Sequence, residues 1–525
     1  MADKYILAID LGTSGPKVAL FSTHGELLGS EFEETRLLLF DNGGAEQSPG
    51  EWWQAIDKAV KRLLARGLAP SGDIVAVAST GQWSGTVAVD EAGNALGNAI
   101  IWMDARGAPY IRQIGGGGLE VQGYAAGKLI QWIRKTGGIP GNAGKDPIAH
   151  ILYLKHAHPE IYRQAWKFLE PMDYIGLRLT GRMAASFNSI VLHWLTDNRK
   201  ISNVTYDEAL IKLSTIDRSK LPDLRPANAI LGPLHADVAR AWGLGGNVQV
   251  VMGSPDIHSA AIGSGAVRDF ESHLYIGTSS WLTCHVPFKK TDLFHNIAAL
   301  PAGIPGRYLL TNEQECAGVC LQFLRDNILF HKDELSVGEK PKNTYQIFDQ
   351  IAARTPAGSG RVIFLPWLYG ERAPVDDHSV RGGFYNQSLE TTREHMVRAV
   401  FEGVAFNSRW LLKYVEQFNG RRAEAVNMVG GGAKSEIWCQ IHADIFDRPI
   451  RQMKDPIEVN VRGAALLACA ALGYLRYDEI GSHVPVAKTF QPQPENRKLY
   501  DELFAEYVAI YESNKRIFAR LNRVA

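Results

Sequence analysis

The chain has 525 residues, 46% hydrophobic and 21% charged, and its 56 Lys and Arg balance its 56 Asp and Glu to a formal net charge of zero. That length exceeds the ~250–300 residues at which a single core stops growing, so two or more domains are expected. Balanced charge gives no support to a nucleic-acid or membrane partner, no apolar run approaches the ~20 residues of a membrane span, and no secretory leader opens the sequence. Five cysteines, Cys284, Cys316, Cys320, Cys439 and Cys469, are an odd, sparse set that fits reduced thiols, and the expected location is cytoplasmic.

In chain order, "KYILAID" is an apolar strand ending in Asp10, "KVALF" a second strand and "LLGSEF" a third. A helix follows from Ser48 to Gly67. Ser48 serves as cap, Pro49 takes the first position, Glu51 completes a capping box, and Trp52, Trp53, Ile56, Val60, Leu63 and Leu64 form one stripe. "DIVAVAS" is a buried strand, so the first domain opens as antiparallel strands feeding a β–α–β unit of α/β class. The second half repeats this grammar. "HLYIGTSSWLTCHV" reads as strand, turn and strand; a long helix is capped by Thr391 with Glu394 and stopped by Gly420; and "AVNMVGGGAKSEIWCQIHADIF" reads as strand, glycine turn and helix. The boundary is placed near residues 245–260, giving domains 1–250 and 251–490 and a C-terminal segment 491–525. In that segment a helix from Asn496 to Asn522 packs through Tyr500, Phe504, Tyr507 and Tyr511.

Two Gly-Thr-Ser turns, at Gly12 and Gly277, stand about half the chain apart in matched strand contexts. Glycine lets a ligand approach the backbone, exposed N–H groups and hydroxyls offer donors to phosphate oxygens, and an aspartate at a strand end suits Mg²⁺. Two such turns facing each other would clamp a triphosphate. "MVGGGAKSEIW" puts three glycines between strand and helix, where open α/β sheets bind ligands. "VMGSPDIHSAAIG" puts Asp256 at a helix start, where an acid also serves as a plain N-cap. Other nucleotide signatures fail: "GNAGKDP" lacks the first glycine and the Ser/Thr of a P-loop, and no G-x-G-x-x-G precedes a suitable acid. His150, His156 and His158 read as packing or exposed histidines, and Cys316 and Cys320 as core.

The ordered set "DLGTSGPKVALF", "IIWMDAR", "EPMDYIGLRLTGRMAASF", "GSPDIHSAAIGSG", "YIGTSSW", "PWLYGERAPVDDHSVRGGFYNQS" and "VGGGAKSEIWCQIHADIFDRPI" closely resembles the FGGY carbohydrate kinases, and within them the xylulose kinase branch. The resemblance spans essentially the whole chain. It implies two ribonuclease H-like domains of the actin/hexokinase type, with ATP and sugar meeting in the cleft between them. It also implies Mg²⁺ at Asp10 and Asp256, and Thr13, Ser14 and Lys17 at the first phosphate loop. Gly277 and Thr278 match the second loop, Gly431, Gly432, Ala433 and Ser435 the adenosine site, and Gln322 a helix bordering the nucleotide. Asp256 matches the catalytic base and touches the sugar, near which Gln82, Trp83, Ser84, Asp104 and Arg106 also fall. The implied reaction moves the γ-phosphoryl of ATP to a primary hydroxyl of an open-chain pentulose, D-xylulose giving D-xylulose 5-phosphate. Such transfer rests on positioning and charge stabilisation, and a carboxylate of ordinary pKa, about 4, is a weak base toward an alcohol.

Two departures bear on the sugar. "GQWSG" replaces Gly-Gln-Met-His-Gly, and "PIAHILYLKHAHPEIY" carries His150 and Tyr153 where the family has a Lys and a Trp. Another ketose or a polyol (ribulose, glycerol or erythritol type) therefore stays open, as does a homodimer. A non-kinase ATPase of the same superfold would need a client-binding region that the two halves leave no room for, and a sugar sensor would not need Asp10 and Asp256.

Overall fold

The computed structural model describes residues 3–334 and 339–522; the expected domain ranges also take in residues 1–2, 335–338 and 523–525, which lie outside the described residues. The first lobe is built from β1 (Tyr5–Gly12), β2 (Gly15–Ser22), β3 (Leu27–Phe32), α1 (Pro49–Leu64), β4 (Ile74–Gly81), β5 (Ile230–Pro233), β6 (Gln249–Val251), β7 (Ser254–Pro255) and α2 (Asp256–Gly263). Its sheet runs β5-β6-β4-β1-β2-β3, with β7 continuing along β4. β1 is antiparallel to β2 and parallel to β4, and Ile6, Leu7, Ala8 and Ile9 are all buried, as a central strand covered on both faces requires.

The second lobe contains β8 (Ser272–Ile276), β9 (Ser280–Val286), β10 (Thr291–Asp292), β11 (Ile297–Pro301), β12 (Tyr308–Thr311), α3 (Gly318–Phe323), α4 (Arg393–Asn419), β13 (Val426–Val429), α5 (Glu436–Phe446), β14 (Ile450–Met453), α6 (Val459–Ala471), β15 (Val486–Phe490) and α7 (Arg497–Leu521). Its sheet order is β10-β11-β12-β9-β8-β13-β14-β15. The segment β12-β9-β8-β13-β14-β15 repeats β3-β2-β1-β4-β6-β5 in order and direction, three antiparallel strands, then two parallel additions, then an antiparallel edge. The repeated Gly-Thr-Ser turn is thus the β1–β2 turn of one lobe and the β8–β9 turn of the other.

Residues Leu7, Ile9 and Leu11 face α1 through Trp52, Ile56, Val60 and Leu63. The opposite face of β1 and β4 packs on α2 and α6, which fill the layer between the sheets. These two helices cross at glycines. A Cβ on Gly263 would fall 1.9 Å from the Val459 carbonyl, and one on Gly463 would fall 1.8 Å from the Ser259 carbonyl. Residues between β4 and β5 form a largely helical insertion with its own core around Trp132, Ile151 and Phe168.

Two helix starts differ from expectation. Ser48 does cap α1, accepting from Glu51 N, but the Glu51 carboxylate is drawn off by Arg36 and no box closes. α4 is capped by Thr392 with His395, because the Thr391 hydroxyl is used by Ser388 N in the preceding turn. Tyr500, Tyr507 and Tyr511 of α7 are buried against Trp367, Phe406 and Trp410, with Phe504 at the margin. His150 is buried, His156 stacks on Tyr110 and His158 meets Tyr153, while all five cysteines are free and buried. Among the described residues, no helix is long and apolar enough to cross a membrane.

Candidate active site

Parallel pairing sets Asp10 beside Thr80 and Ser254 on the other side of it, so the ends of β1, β4 and β7 deliver Asp10, Gln82 and Asp256 side by side. Asp256 opens α2 with part of its surface open to the cleft, and its Oδ1 accepts from Ile257 N at 2.8 Å. Burial, then the charge of Asp10, push its carboxyl up to about 8, far from the ordinary value assumed from sequence. Asp10 is also raised by burial, while Lys17 and the Asn460 amide pull it back. Asp10 Oδ1 is buried and has no hydrogen-bond partner.

The second lobe closes on this pair from two directions. Tyr275, just before the second Gly-Thr-Ser turn, stacks on Trp281 at 4.1 Å, and its hydroxyl is raised by burial and then by the charges of Asp10 and Asp256. The second Gly-Thr-Ser turn therefore follows a residue that feels the charge of both acids. At the start of α6, Asn460 Nδ2 donates to Asp10 Oδ2 at 3.2 Å.

Thr13 is held in a polar knot. Its hydroxyl accepts from Trp102 Nε1 at 3.0 Å and donates to Gln82 Oε1 at 3.3 Å, and its carbonyl accepts from Gln47 Nε2 at 2.8 Å. Gln82 completes the ring by donating to Gln47 at 2.8 Å. Ser14 is exposed at the turn. Lys17 lies opposite Asp10 in the β1–β2 register, but its ammonium reaches the second lobe, 2.7 Å from the Ile457 carbonyl and 3.3 Å from Glu458.

The second turn is buttressed by α3, whose Gly318 N–H donates to the Gly277 carbonyl at 2.9 Å, while Ala317 N–H donates to the Thr278 carbonyl. Gln322 is exposed on that helix. The glycine turn after β13 packs on β8: a Cβ on Gly432 would lie 2.5 Å from Ile276 Cγ2, whereas one on Gly431 would meet nothing within 4 Å. Ala433 is buried, and Ser435 caps α5, accepting from Trp438 N and donating to Asp349 at 2.6 Å.

On the other side of Asp256, Trp83 Nε1 donates to the Ser189 carbonyl at 2.8 Å, and its ring meets His258 edge-on at 5.3 Å. Ser84, at φ +64°, donates to the Lys145 carbonyl at 2.7 Å. Asp104 and Arg106 spend their bonds on a brace beneath residues 40–46. Asp104 accepts from Ala45 N, and Arg106 pairs with Asp104 and Glu46 and donates to Tyr153. His150, buried with one nitrogen at Thr86, is pushed down to about 4 by desolvation and is neutral.

A divalent cation fits the Asp10–Asp256 pair: both offer hard oxygen donors, one is an orphaned buried oxygen, and a cation would relieve the repulsion that raises Asp256. Among the described residues, no group of three or more His, Cys, Asp or Glu could hold a metal, so the protein would supply two carboxylates and leave the other positions to water and ligand. Sequence reasoning missed Asn460, Gln47, Trp102 and Tyr275.

Two lobes that repeat one strand order, the first carrying Asp10 and Asp256 at adjacent strand ends, define a two-domain α/β protein of the ribonuclease H-like superfold. Residues 5–263 match the FGGY family of carbohydrate kinases, N-terminal domain, and residues 274–472 its C-terminal domain. The chain belongs to that family, phosphotransferases acting on a sugar hydroxyl. It is 28% identical to a xylulose kinase of Staphylococcus epidermidis, over 99% of both chains. Among solved structures, it resembles a gluconate kinase of Lactobacillus acidophilus (TM-score 0.86, 27% identity, 99% of this chain and 100% of that one). It also resembles a ligand-bound xylulose kinase of the same species (TM-score 0.85, 26% identity, 99% and 100%).

Proposed function

We propose that this kinase transfers the γ-phosphoryl group of ATP to a primary hydroxyl of an open-chain pentulose, D-xylulose before other acceptors. The observation that carries the reading is geometric: Asp10 and Asp256 stand at adjacent strand ends of the first lobe, and Asn460 of the second lobe is bonded to Asp10. Asp256 orients the acceptor hydroxyl and, in its ionised form, takes its proton. The turns after Gly12 and Gly277 would offer backbone N–H groups, and Ser14 its exposed hydroxyl, to the phosphates, and Gly431 and Gly432 let the nucleoside approach the backbone. Asp10 and Asp256 would hold Mg²⁺, which when bound offsets phosphate charge. Lobe closure excludes the water that would compete for the phosphoryl group.

The relatives' names support xylulose, and the Trp83-Ser84 pair supports including other acceptors in the test. A coupled ADP-release assay over xylulose, ribulose, glycerol, erythritol and gluconate is expected to show acceptor-dependent turnover with the highest kcat/KM on xylulose. ADP release that ignores the acceptor would sink the kinase reading, and a higher kcat/KM on another acceptor would replace xylulose.

A further inference from the structure

Among the described residues, Lys145 is a partly buried cation that pairs with no anion, and its neighbour in space is the second lobe. Its ammonium makes no hydrogen bond or ion pair among the described residues; its one close contact is the Tyr369 ring of the second lobe, 5.8 Å from the centroid, near the outer limit of a cation–π contact. The side chain is partly withdrawn from water, and burial, then the neighbouring charge of Arg372, make it easier to deprotonate. The acids near it have partners other than Lys145. Glu313 and Glu315 both pair with Arg372, and the Asp146 carboxylate accepts from Gly141 N at 2.6 Å and from Trp194 Nε1 at 2.9 Å. A lysine serving only as a strut between lobes would be expected to use one of these carboxylates, because a desolvated ammonium without a partner is costly.

Its position is fixed by the sugar side of the site. The Lys145 carbonyl accepts the Ser84 hydroxyl at 2.7 Å, and Ser84 is a non-glycine residue held at φ +64° in the turn that follows β4 beside Asp256. Glu313 acts electrostatically on both Lys145 and Asp256. Resting on the kinase reading above, we infer that Lys145 is a specificity-determining residue that binds the acceptor through an sp² oxygen, the carbonyl of a ketose or the carboxylate of an aldonate. An ammonium can only donate, so it matches an oxygen that only accepts. A hydroxyl is served as well by a neutral amide such as Gln82. The ligand's oxygen would supply the partner that the protein withholds, and an acceptor lacking it would leave the ammonium unpaired, the arrangement that gives strong discrimination.

The test compares wild type, Lys145→Met, Lys145→Gln and Lys145→Arg with xylulose, xylitol and gluconate. Two readouts are used: ADP release, and calorimetric binding of each acceptor to nucleotide-free enzyme. Removing the ammonium is expected to raise KM for the preferred acceptor at least ~10-fold, leave KM for ATP within ~2-fold, and erase the preference for that acceptor over xylitol. Lys145→Arg should retain most of the preference. A wild-type preference for xylulose that the Met or Gln variant erases assigns the carbonyl, and one for gluconate assigns the carboxylate. Unchanged acceptor KM and unchanged preference in both neutral variants would overturn the inference while leaving the kinase reading standing. Wild-type binding without turnover, lost in the neutral variants, would sink the kinase reading and keep Lys145 as the acceptor-binding residue. Should Lys145→Met fail to fold, Lys145→Gln carries the same comparison.

Discussion

Asn460, the second residue of α6, donates its amide to Asp10 Oδ2 at 3.2 Å, so the carboxylate at the end of the first lobe's central strand is held by the second lobe. Lys17 adds a second tie beside it, to the Ile457 carbonyl and Glu458. Asp10 is thereby aimed with its other oxygen, Oδ1, left unpaired. Removing a group that orients a metal-binding carboxylate typically costs ~10–100-fold in metal affinity. Asn460→Ala is therefore expected to raise the Mg²⁺ concentration for half-maximal ADP release ~10-fold and to weaken Mn²⁺ binding measured by electron paramagnetic resonance, with kcat at saturating Mg²⁺ nearly kept. Unchanged values in both measurements would show that the bond does not position Asp10.

Asp256 pays for its place in the cleft, since burial and the charge of Asp10 both oppose its ionisation. Asp256→Asn removes that conflict along with the base. Turnover should fall at least ~10²-fold, the usual cost of a lost general base, with KM for ATP little changed and the melting temperature equal or higher. Near-normal turnover would take the base role from Asp256. A lost fold would show that the carboxylate is structural.

What could be read from the sequence was local. Asp10, Gly12 to Ser14, Asp256, Gly277 and the glycines at 430–432 sit at strand ends and turns, where backbone demands restrict residue choice over a few positions. Asn460 meets Asp10 across 450 positions, and Trp102 meets Thr13 across 89, with nothing in either segment to announce the partner. The same holds for side chains claimed by a competitor. Glu51 had the right spacing for a capping box and Arg36 took it; the reach of Lys17 to Ile457, 440 positions away, had no local signal either. Asp104 and Arg106 were legible as a polar pair, but their bonding to Ala45 and Glu46 depends on a loop some 60 residues earlier.

Gly431 and Gly432 separate packing from ligand approach. An alanine methyl at Gly432 would strike Ile276, whereas one at Gly431 would enter open space. Gly432→Ala should lower the melting temperature and weaken nucleotide binding together, as overpacking by a methyl costs ~1–3 kcal/mol. Gly431→Ala should leave the melting temperature unchanged and still raise KM for ATP, because the open space is where the nucleoside is proposed to lie. Calorimetric ADP binding and thermal melting on the two variants check this. An unaltered ADP affinity in Gly431→Ala would move the nucleoside away from this turn.

Asp173, buried in the insertion, couples stability to pH. Its Oδ2 accepts from Ser189 Oγ at 2.8 Å, Oδ1 has no partner, and burial pushes the carboxyl up to about 8. The folded chain therefore holds a proton that the unfolded chain, with a carboxyl near ~4, has released. Stability from this group is full below that lower value and is lost as pH rises toward 8, at up to ~1.4 kcal/mol per pH unit. Asp173→Asn cannot ionise, so between pH 5 and 7.5 its urea midpoint should fall less steeply than that of wild type, with the gap widest at pH 7.5. The Asp173 charge also raises buried Glu170, so the difference between the two curves reports Asp173 together with its effect on Glu170. Parallel curves would mean that the carboxyl titrates at its ordinary value and that water reaches it.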